Sequence, residues 1–388
     1  MTDPVSRAWA YLSRVAEPPC AELAALVQRV GPVEAADRVR CGSVDDDVAR
    51  HTEARREIDR TAADLELLAS RGGRLITPDG DEWPLLAFAA FGCAGTGGEV
   101  KPRGGPPLVL WALGPERLDE VAQRAAAVVG TRAATVYGEQ VAADLAAGLV
   151  ERDVAVVSGG AYGIDGAAHR AALTCDGITV AVLAGGLDIP YPAGHSGLLH
   201  RIGQHGLLFT EYPPGVRPAR HRFLTRNRLV AAVSGAAVVV EAGLRSGAAN
   251  TAAWAGALGR VVAAVPGPVT SSASAGCHAL LRNGAELVTR ADDVVELVGR
   301  IGELAPEEPH PTTALDGLSD AERQVYEALP GRGAATVDDI AVASGLAPEQ
   351  VLGPLAILEV TGLAQRHDGR WRIVRAAAGR PAGTARLV

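Results

Sequence analysis

The sequence predicts an α/β protein built on a doubly wound, mostly parallel sheet. From residue 125 to about residue 300, short apolar runs alternate with helical segments. The apolar runs, such as Val154–Val157, are continuous, which is typical of strands buried on both faces. Such alternation implies right-handed βαβ units. We expect a helical domain before this region and a winged-helix-like domain after it.

Composition limits the classes of partner. The chain has 388 residues, 48% of them hydrophobic, and a net charge of −8 from 37 basic and 45 acidic side chains. This charge argues against general duplex binding, so a nucleic-acid site would be a local basic patch. The five cysteines are widely spaced without a CxxC pair, which favours a reduced, cytoplasmic protein. Neither a signal peptide nor a membrane-spanning run is recognisable, and we expect no cofactor or metal.

Residues 1–72 are predicted to form a helical domain of the SAM or helix-hairpin-helix type. Apolar stripes mark two helices, Gly31-Pro32 punctuates the chain after the second, and a further helix is expected over Val48–Leu68. No clean DNA-binding hairpin is present, so a docking or spacer role is favoured. The α/β domain is expected over residues 73–300. It would begin with an edge strand at Leu75–Pro78, a mobile Gly/Pro-rich loop over Gly92–Pro107 and a strand at Leu108–Ala112.

The core strands of this domain come from its apolar runs. They are predicted at Ala126–Val129, Val154–Val157, Thr179–Leu183, Leu207–Thr210, Ala236–Val240, Val261–Val265 and Glu286–Val288. Between these strands, helices are predicted at segments such as Tyr137–Leu149, Asp165–Leu173, Arg226–Val233 and Ala248–Leu258.

Several strands end in glycine-rich turns, at the sheet edge where doubly wound folds bind ligands. The turns that we assign to a site are Gly130-Thr131-Arg132, Ser158-Gly159-Gly160 and Ser246-Gly247. Their backbone amides would form an anion-binding groove at helix N-termini. The alternative is that these glycines only permit tight turns. The sequence has neither GxGxxG nor GxxxxGK[ST], so nucleotide cofactor binding is a minor hypothesis.

One stretch of this acidic chain is strongly basic. From Arg217 to Arg228 there are five arginines, one aromatic residue and no acidic residue. Guanidinium groups pair with phosphates and a ring stacks on bases, which suits single-stranded nucleic acid. The alternative is a solvated charged loop. The candidate binding residues in this stretch are Arg220, Arg222, Phe223, Arg226, Asn227 and Arg228.

The remaining chain is predicted as a linker over residues 301–315, a winged-helix-like domain over 316–375 and a disordered tail over 376–388. The domain would have helices to Leu329 (opened by a Ser319–Glu322 capping box), Val337–Ser344 and Pro348–Val360, then a β-hairpin. Its third helix contains no Lys or Arg, so a protein-contact role is favoured over duplex binding.

The ordered motifs resemble those of the bacterial DNA-processing protein A (DprA/Smf) family. The resembling segments, dense between residues 74 and 290, include Val128–Arg132, Ser158–Asp165, Gly185–Asp188 with Tyr191-Pro192, Glu211–Gly215, Arg222-Phe223, Arg226–Arg228, Glu241-Ala242 and Pro266-Gly267. The resemblance implies an extended Rossmann-like domain, a homodimer formed through that domain, and a non-enzymatic protein that binds single-stranded DNA and loads the RecA recombinase.

Transferred to this sequence, the family pattern has Arg132 gripping a phosphate with help from the Gly159 and Gly160 amides. Arg222, Arg226 and Arg228 would line the pocket, although one of them could brace the fold, and Phe223 could stack on a base. Two departures are His195 and His278, which stand where asparagines are expected.

Two other functions remain open from the residues. An enzyme alternative is a nucleotide-processing hydrolase of the lysine-decarboxylase-like (LOG) group, but the segment Val240–Gly247 lacks that group's PGGxGTxxE signature. Asp165 and His169 could serve as acid and base on one helix face, or as a helix cap and a packed histidine. His195, His200 and His205 are a poor metal constellation. The third possibility is an interaction scaffold.

Overall fold

The structure is a computed structural model that describes residues 3–93, 104–299, 302, 304–305 and 315–374. The chain divides into two compact units, residues 1–306 and 307–388. The predicted Gly/Pro-rich loop and linker lie largely outside the described residues, and the predicted tail lies entirely outside them.

Five helices open the first unit: α1 (Pro4–Val15), α2 (Ala21–Val30), α3 (Pro32–Cys41), α4 (Asp46–Thr52) and α5 (Thr61–Ser70). The prediction of one helix over Val48–Leu68 is wrong, and α3 was not predicted. Helix α4 is followed by a 3₁₀ turn at Glu53–Arg55, and α5 begins only at Thr61. There the Tyr11 hydroxyl donates to the Arg56 carbonyl at 2.7 Å, and the Asp59 carboxylate accepts from the Thr61 amide at 2.9 Å. Both contacts satisfy backbone groups outside a continuous helix.

A nine-stranded sheet forms the centre of the first unit. Its strands are β1 (Gly73–Ile76), β2 (Leu110–Leu113), β3 (Ala125–Val129), β4 (Ala155–Ser158), β5 (Thr179–Val182), β6 (Leu207–Thr210), β7 (Ala236–Val239), β8 (Val261–Ala264) and β9 (Glu286–Leu287). The order is β1-β2-β6-β5-β4-β3-β7-β8-β9, with only β1–β2 and β2–β6 antiparallel. The doubly wound, mostly parallel sheet is confirmed, and β1 is an edge strand as predicted.

Helices cover both faces of this sheet. They are α6 (Leu85–Cys93), α7 (Leu118–Val121), α8 (Val136–Val150), α9 (Ile164–Thr174), α10 (Ser196–His205), α11 (Arg220–Ala232), α12 (Gly247–Ala257), α13 (Ala275–Arg282) and α14 (Ala291–Val298). Alternate residues of β3 enter different cores: Ala127 and Val129 pack with residues of α11 and α12, whereas Ala126 and Val128 pack with residues of α8 and α9. Both faces of β3 are therefore buried, which explains its uninterrupted apolar run.

Helices α6 and α11 differ from the prediction in ways that bear on the site. Helix α6 was not predicted, because its run of apolar residues carries no helical periodicity. Helix α11 begins six residues earlier than predicted, so four of the five arginines of the basic stretch lie on a helix rather than in a solvated loop. The side chains of Arg226, Asn227 and Arg228 are all buried. Polar residues therefore lie on the buried sides of α11, and the sequence shows no amphipathic pattern there.

The order of the strands indicates where a ligand site is expected. From β3 the chain moves outward through β4 and β5 to β6, then returns to β7 on the other side of β3. The order thus reverses between β3 and β7. In open α/β sheets the crevice beyond the carboxyl ends of such neighbouring strands is the usual ligand site.

The second unit, described over residues 315–374, has the predicted winged-helix composition. It contains α15 (Asp320–Ala328), α16 (Val337–Ser344), α17 (Pro348–Val360) and a hairpin of β10 (Ala364–His367) and β11 (Arg370–Ile373). The predicted capping box is present: the Ser319 hydroxyl accepts from the Glu322 amide at 3.4 Å, and the Glu322 carboxylate accepts from the Ser319 amide at 2.7 Å.

None of the helices in the described part of the chain is by itself long and apolar enough to cross a bilayer. Helices α16 and α17 reach such a length only together, and they are bent by 103°.

Candidate nucleic-acid interface

A groove of about 780 Å³ opens beyond the carboxyl ends of β3, β4 and β7. Its lining includes residues of all three glycine-rich turns that the sequence assigned to a site, together with Tyr191 and residues around the start of α11. Ten of the fourteen predicted site residues line it: Gly130, Thr131, Arg132, Gly159, Arg220, Phe223, Arg226, Asn227, Ser246 and Gly247.

Close backbone contacts build the floor of the groove. The Thr131 amide donates to the Glu241 carbonyl at 2.7 Å, and the Ile164 amide donates to the Thr131 carbonyl at 3.3 Å. A Cβ at Gly130 would lie 2.8 Å from the same Glu241 oxygen. Gly163 has a φ of +71°, a conformation that L side chains rarely adopt. These glycines are required because the turns after β3, β4 and β7 approach one another closely.

Arg226 lies at the base of the groove with 6% of its surface exposed. Its Nη1 donates to the carbonyls of Gly159, at 2.8 Å, and of Val182. A Cβ at Gly159 would collide with this guanidinium group. Burial lowers the pKa of Arg226 to about 10, against the opposing effect of Asp165. The side chain therefore keeps its positive charge at neutral pH.

Asp165 stabilises the turn after β4. Its carboxylate accepts from the amides of Gly159 at 3.1 Å and Ala161 at 3.4 Å. Burial raises the pKa of Asp165, while the charge of Arg226 and these hydrogen bonds oppose the rise. The structure corrects one expectation here. The Gly159 amide is already bonded to Asp165, and Gly160 does not line the groove, so neither amide is presented to a phosphate.

The rim carries exposed arginines. Arg132, Arg220 and Arg245 line the groove, and none has a salt-bridge partner among the described residues. The guanidinium carbon of Arg132 lies 4.9 Å from the ring centroid of Phe223, and the Tyr191 ring lies 5.4 Å from that of Phe223. Cationic and aromatic groups are thus presented side by side at the opening of the groove.

Four predicted site residues lie elsewhere. Arg228 is fully buried and donates to Glu211 at 2.7 Å, so it braces the fold. Arg222 binds the Glu17 carboxylate of the helical domain at 2.6 and 2.9 Å. Ser158 is fully buried, with its hydroxyl donating to the Val128 carbonyl at 2.7 Å. The fourth is Gly160, described above. The structure therefore removes these residues from the lining of the groove.

Sequence reasoning missed two notable lining residues, Tyr191 and Arg245. Each follows a core strand, Tyr191 after β5 and Arg245 after β7, and that position was the available signal. Tyr191 belongs to a motif that supported the family resemblance, and Arg245 stands immediately before the predicted Ser246-Gly247 turn. Neither side chain was assigned to the site, because a turn residue's orientation depends on tertiary packing.

The histidines serve local structure. His195 and His278 each form one hydrogen bond to a backbone carbonyl, with Gly160 at 3.1 Å and Gly267 at 3.0 Å respectively. His169 is fully buried, and its Nδ1 lies 2.7 Å from the Thr179 hydroxyl. It does not line the groove, which favours the packed-histidine interpretation over an acid–base pair with Asp165.

Potential metal ligands lie outside the groove. Among the described residues, Cys20, Glu22 and His51 have ligand atoms close enough together to hold an ion. Glu22 and His51 are exposed and Cys20 is half-buried. This arrangement is unrelated to the histidines considered in the sequence.

Comparison with known proteins agrees with this geometry. The model of the DNA recombination-mediator protein A family matches residues 75–299, and that of the DprA winged helix domain matches residues 308–370. The chain belongs to this family of DNA-processing proteins.

Three relatives illustrate the similarity. The putative DNA processing protein DprA of Mycobacterium tuberculosis (strain H37Rv) is 81% identical over 100% of both chains. Protein Smf of Escherichia coli is 37% identical, over 64% of this chain and 68% of its own. The X-ray structure of DprA from Streptococcus pneumoniae has a TM-score of 0.60 and 28% identity, and the match covers 76% of this chain and 97% of that one.

The bracing role of Arg228 predicts a large stability effect. Arg228→Ala should lower the free energy of unfolding by about 3–5 kcal/mol, because it leaves Glu211 buried without its partner. Arg220→Ala, on the exposed side of the same helix, should change it by less than about 0.5 kcal/mol. Urea denaturation followed by circular dichroism measures both. Equal losses in the two variants would contradict the bracing role.

The buried His169 predicts a pH dependence. Burial, with smaller effects of His195 and Arg226, lowers the pKa of His169 from 6.5 to about 3. Between these values the unfolded chain binds a proton that the folded chain does not, so stability should fall as the pH falls below 6.5. The slope from one such group is at most about 1.4 kcal/mol per pH unit. His169→Asn should flatten unfolding free energies measured between pH 7 and pH 5, whereas the exposed control His200→Asn should leave the profile unchanged.

Proposed function

We propose that the groove binds single-stranded DNA and that the protein, acting without catalysis in the cytoplasm, protects the strand and loads RecA onto it. The observation that carries the proposal is the set of exposed arginines that have no salt-bridge partner in the described part of the chain and that lie beside two aromatic rings, in a protein whose net charge is −8. The residues proposed to contact DNA are Arg132, Arg220, Phe223, Arg226 and Arg245, with Tyr191, Asn227 and the Ser246-Gly247 turn.

Charge supports a phosphate ligand. Four arginines line the groove against one carboxylate, Asp165, which is itself occupied by backbone amides. The groove also receives the N-terminus of α12, where the Ser246 hydroxyl accepts from the Ala249 amide at 3.3 Å. The positive end of a helix dipole adds to the attraction for an anion.

The aromatic pair supports a single strand rather than a duplex. Phe223 is partly exposed and Tyr191 is 45% exposed, and their rings lie 5.4 Å apart between centroids. A base can stack on such a ring only after it has left its own stack, which is easily achieved in single-stranded DNA. Stacking of this kind is tolerant of sequence, so we expect little base preference.

Two parts of the proposal depend on family membership. A homodimer formed through the Rossmann-like domain would present two grooves to one strand. RecA would receive DNA that is held by its backbone. Both the homodimer and the transfer of DNA to RecA require experiments other than the binding measurements on the groove.

Salt dependence tests the phosphate contacts. We expect Arg132→Ala to reduce the magnitude of the log–log salt slope of single-strand binding by about 0.7, the approximate value for one phosphate neutralised on a single strand. The control is Arg38→Ala, which removes an exposed arginine paired with Glu34 on α3. Fluorescence anisotropy with a labelled oligothymidylate and a matching duplex gives both slope and preference. Binding that is insensitive to Arg132, or that favours the duplex, would overturn the proposal.

Stacking has its own test. Phe223→Leu keeps an apolar side chain on α11 but removes the ring, and we expect it to weaken single-strand binding by about 1–3 kcal/mol. Its effect should be similar for oligothymidylate and oligoadenylate, and the salt slope should stay unchanged because no charge is lost. An unchanged affinity would exclude Phe223 from the interface.

A further inference from the structure

A second cavity, of about 280 Å³, lies where the helical domain meets the segment before α11. It shares no lining residue with the groove. Arg222 lines the cavity and the next residue, Phe223, lines the groove, so the two open on different sides of α11. Arg217 and the groove residue Arg220 are both exposed and lie on the short segment between the cavity residues Val216 and Arg222. Four side chains that line this cavity, which we name the Glu17 subsite, are Glu17, Arg55, Tyr212 and Arg222.

Cationic groups converge on one carboxylate in this subsite. Arg222 grips Glu17 with two hydrogen bonds, of 2.6 and 2.9 Å, and Arg55 lies 3.0 Å from the same carboxylate. His221 adds a ring nitrogen at 3.3 Å. Two guanidinium groups thus share a single negative charge. A bidentate guanidinium fork recognises a carboxylate and a phosphate by the same geometry.

Tyr212 supplies an independent sign of a ligand. Its side chain is 2% exposed, and its hydroxyl has no hydrogen-bond partner among the described residues. Burial raises the pKa of Tyr212, so the hydroxyl remains a neutral donor. It lines the same cavity, and the guanidinium carbon of Arg222 lies 5.0 Å from its ring. An unpaired buried hydroxyl is unfavourable, and it would become a donor to a phosphate oxygen only once Glu17 has left its place beside it.

We propose that the Glu17 subsite binds a second phosphate of the DNA strand held in the groove, and that Glu17 occupies the phosphate position when the strand is absent. The subsite rests on the proposed single-strand function. Arg217 and Arg220 provide a cationic path along which the backbone leaves the groove. The helical domain thereby takes part in DNA binding.

Glu17 is a charged competitor at neutral pH. Burial by itself would raise the pKa of this carboxyl, but hydrogen bonds from Arg222 and Arg55 hold it below its usual range. A strand that reaches the subsite must displace Glu17, whereas a strand that fills only the groove does not. The effect of Glu17 on affinity therefore depends on strand length, which separates it from a general change of protein charge.

The test is an anisotropy titration at several salt concentrations with a short oligothymidylate and a long one. Glu17→Gln should bind the long strand more tightly than the wild type, because no charged carboxylate has to be displaced from the two arginines, and it should bind the short strand as the wild type does. The matched control, Glu34→Gln, removes an exposed carboxylate of the same domain and should change neither. Adding Arg222→Ala to Glu17→Gln should abolish the gain.

Tyr212→Phe in the otherwise wild-type chain provides a second variant, which removes only an unpaired hydroxyl. It should weaken long-strand binding about tenfold, the low end for a hydrogen bond to a charged group, and leave short-strand binding unchanged. Thermal unfolding of each variant verifies the fold.

The two proposals fail separately. If the wild-type protein binds neither strand at low salt, the single-strand function is overturned. If it binds both, the subsite is overturned by a Glu17→Gln variant that matches Glu34→Gln, that gains equally for both lengths or that binds the long strand less tightly. A Tyr212→Phe variant that binds the long strand as wild type does would also overturn it.

Discussion

The contact on which the groove depends is that of the buried Arg226 guanidinium with the carbonyls of Gly159 and Val182. It joins α11 to the ends of β4 and β5 and leaves a permanent positive charge at the base. It also explains why residue 159 is glycine, since a side chain there would collide with Arg226. Asp165 completes the arrangement by binding the amides of the same turn. A buried charge of this kind is tolerated because hydrogen bonds replace its hydration.

The arginines of the basic stretch have different tasks because they lie on one helix. Successive residues of a helix point about 100° apart, so Arg226 and Arg228 leave nearly opposite sides of α11, one toward the groove and the other toward the core. Arg222 lies one turn before Arg226, but its guanidinium group binds Glu17 of the helical domain. Charge that looks like one patch in the sequence is thus divided among a domain contact, a ligand site and a structural ion pair. Glu17 and Glu211 determine which arginines are already neutralised. The remaining ones, with Arg132 and Arg245 from other turns, give an acidic protein its local basic groove.

The helical domain is more than a spacer in this arrangement. Arg14 binds Asp64 within the domain and the Pro214 carbonyl of the α/β domain, at 2.7 Å each, and the Trp111 indole donates to Ser13 at 3.3 Å. These contacts attach α1 to the sheet and bring Glu17, just beyond α1, to Arg222. The Glu17–Arg222 contact therefore links the helical domain directly to α11, the helix that carries several groove residues.

The sequence by itself determined the sheet, the turns at its ligand edge, the winged-helix elements and the family, because buried parallel strands and capped helices leave local patterns. It also determined most of the groove, since the glycine turns after β3 and β4 and the Ser246-Gly247 turn must meet at one edge. Only the tertiary structure decided which arginines face that groove. Arg228 and Arg222 look like Arg226 in the sequence, and their partners, Glu211 and Glu17, lie 17 and 205 residues away. The break between α4 and α5 was decided in the same way, by the contact of Tyr11 with Arg56. Non-local partners of this kind satisfy polar groups without leaving a periodic signal in the chain.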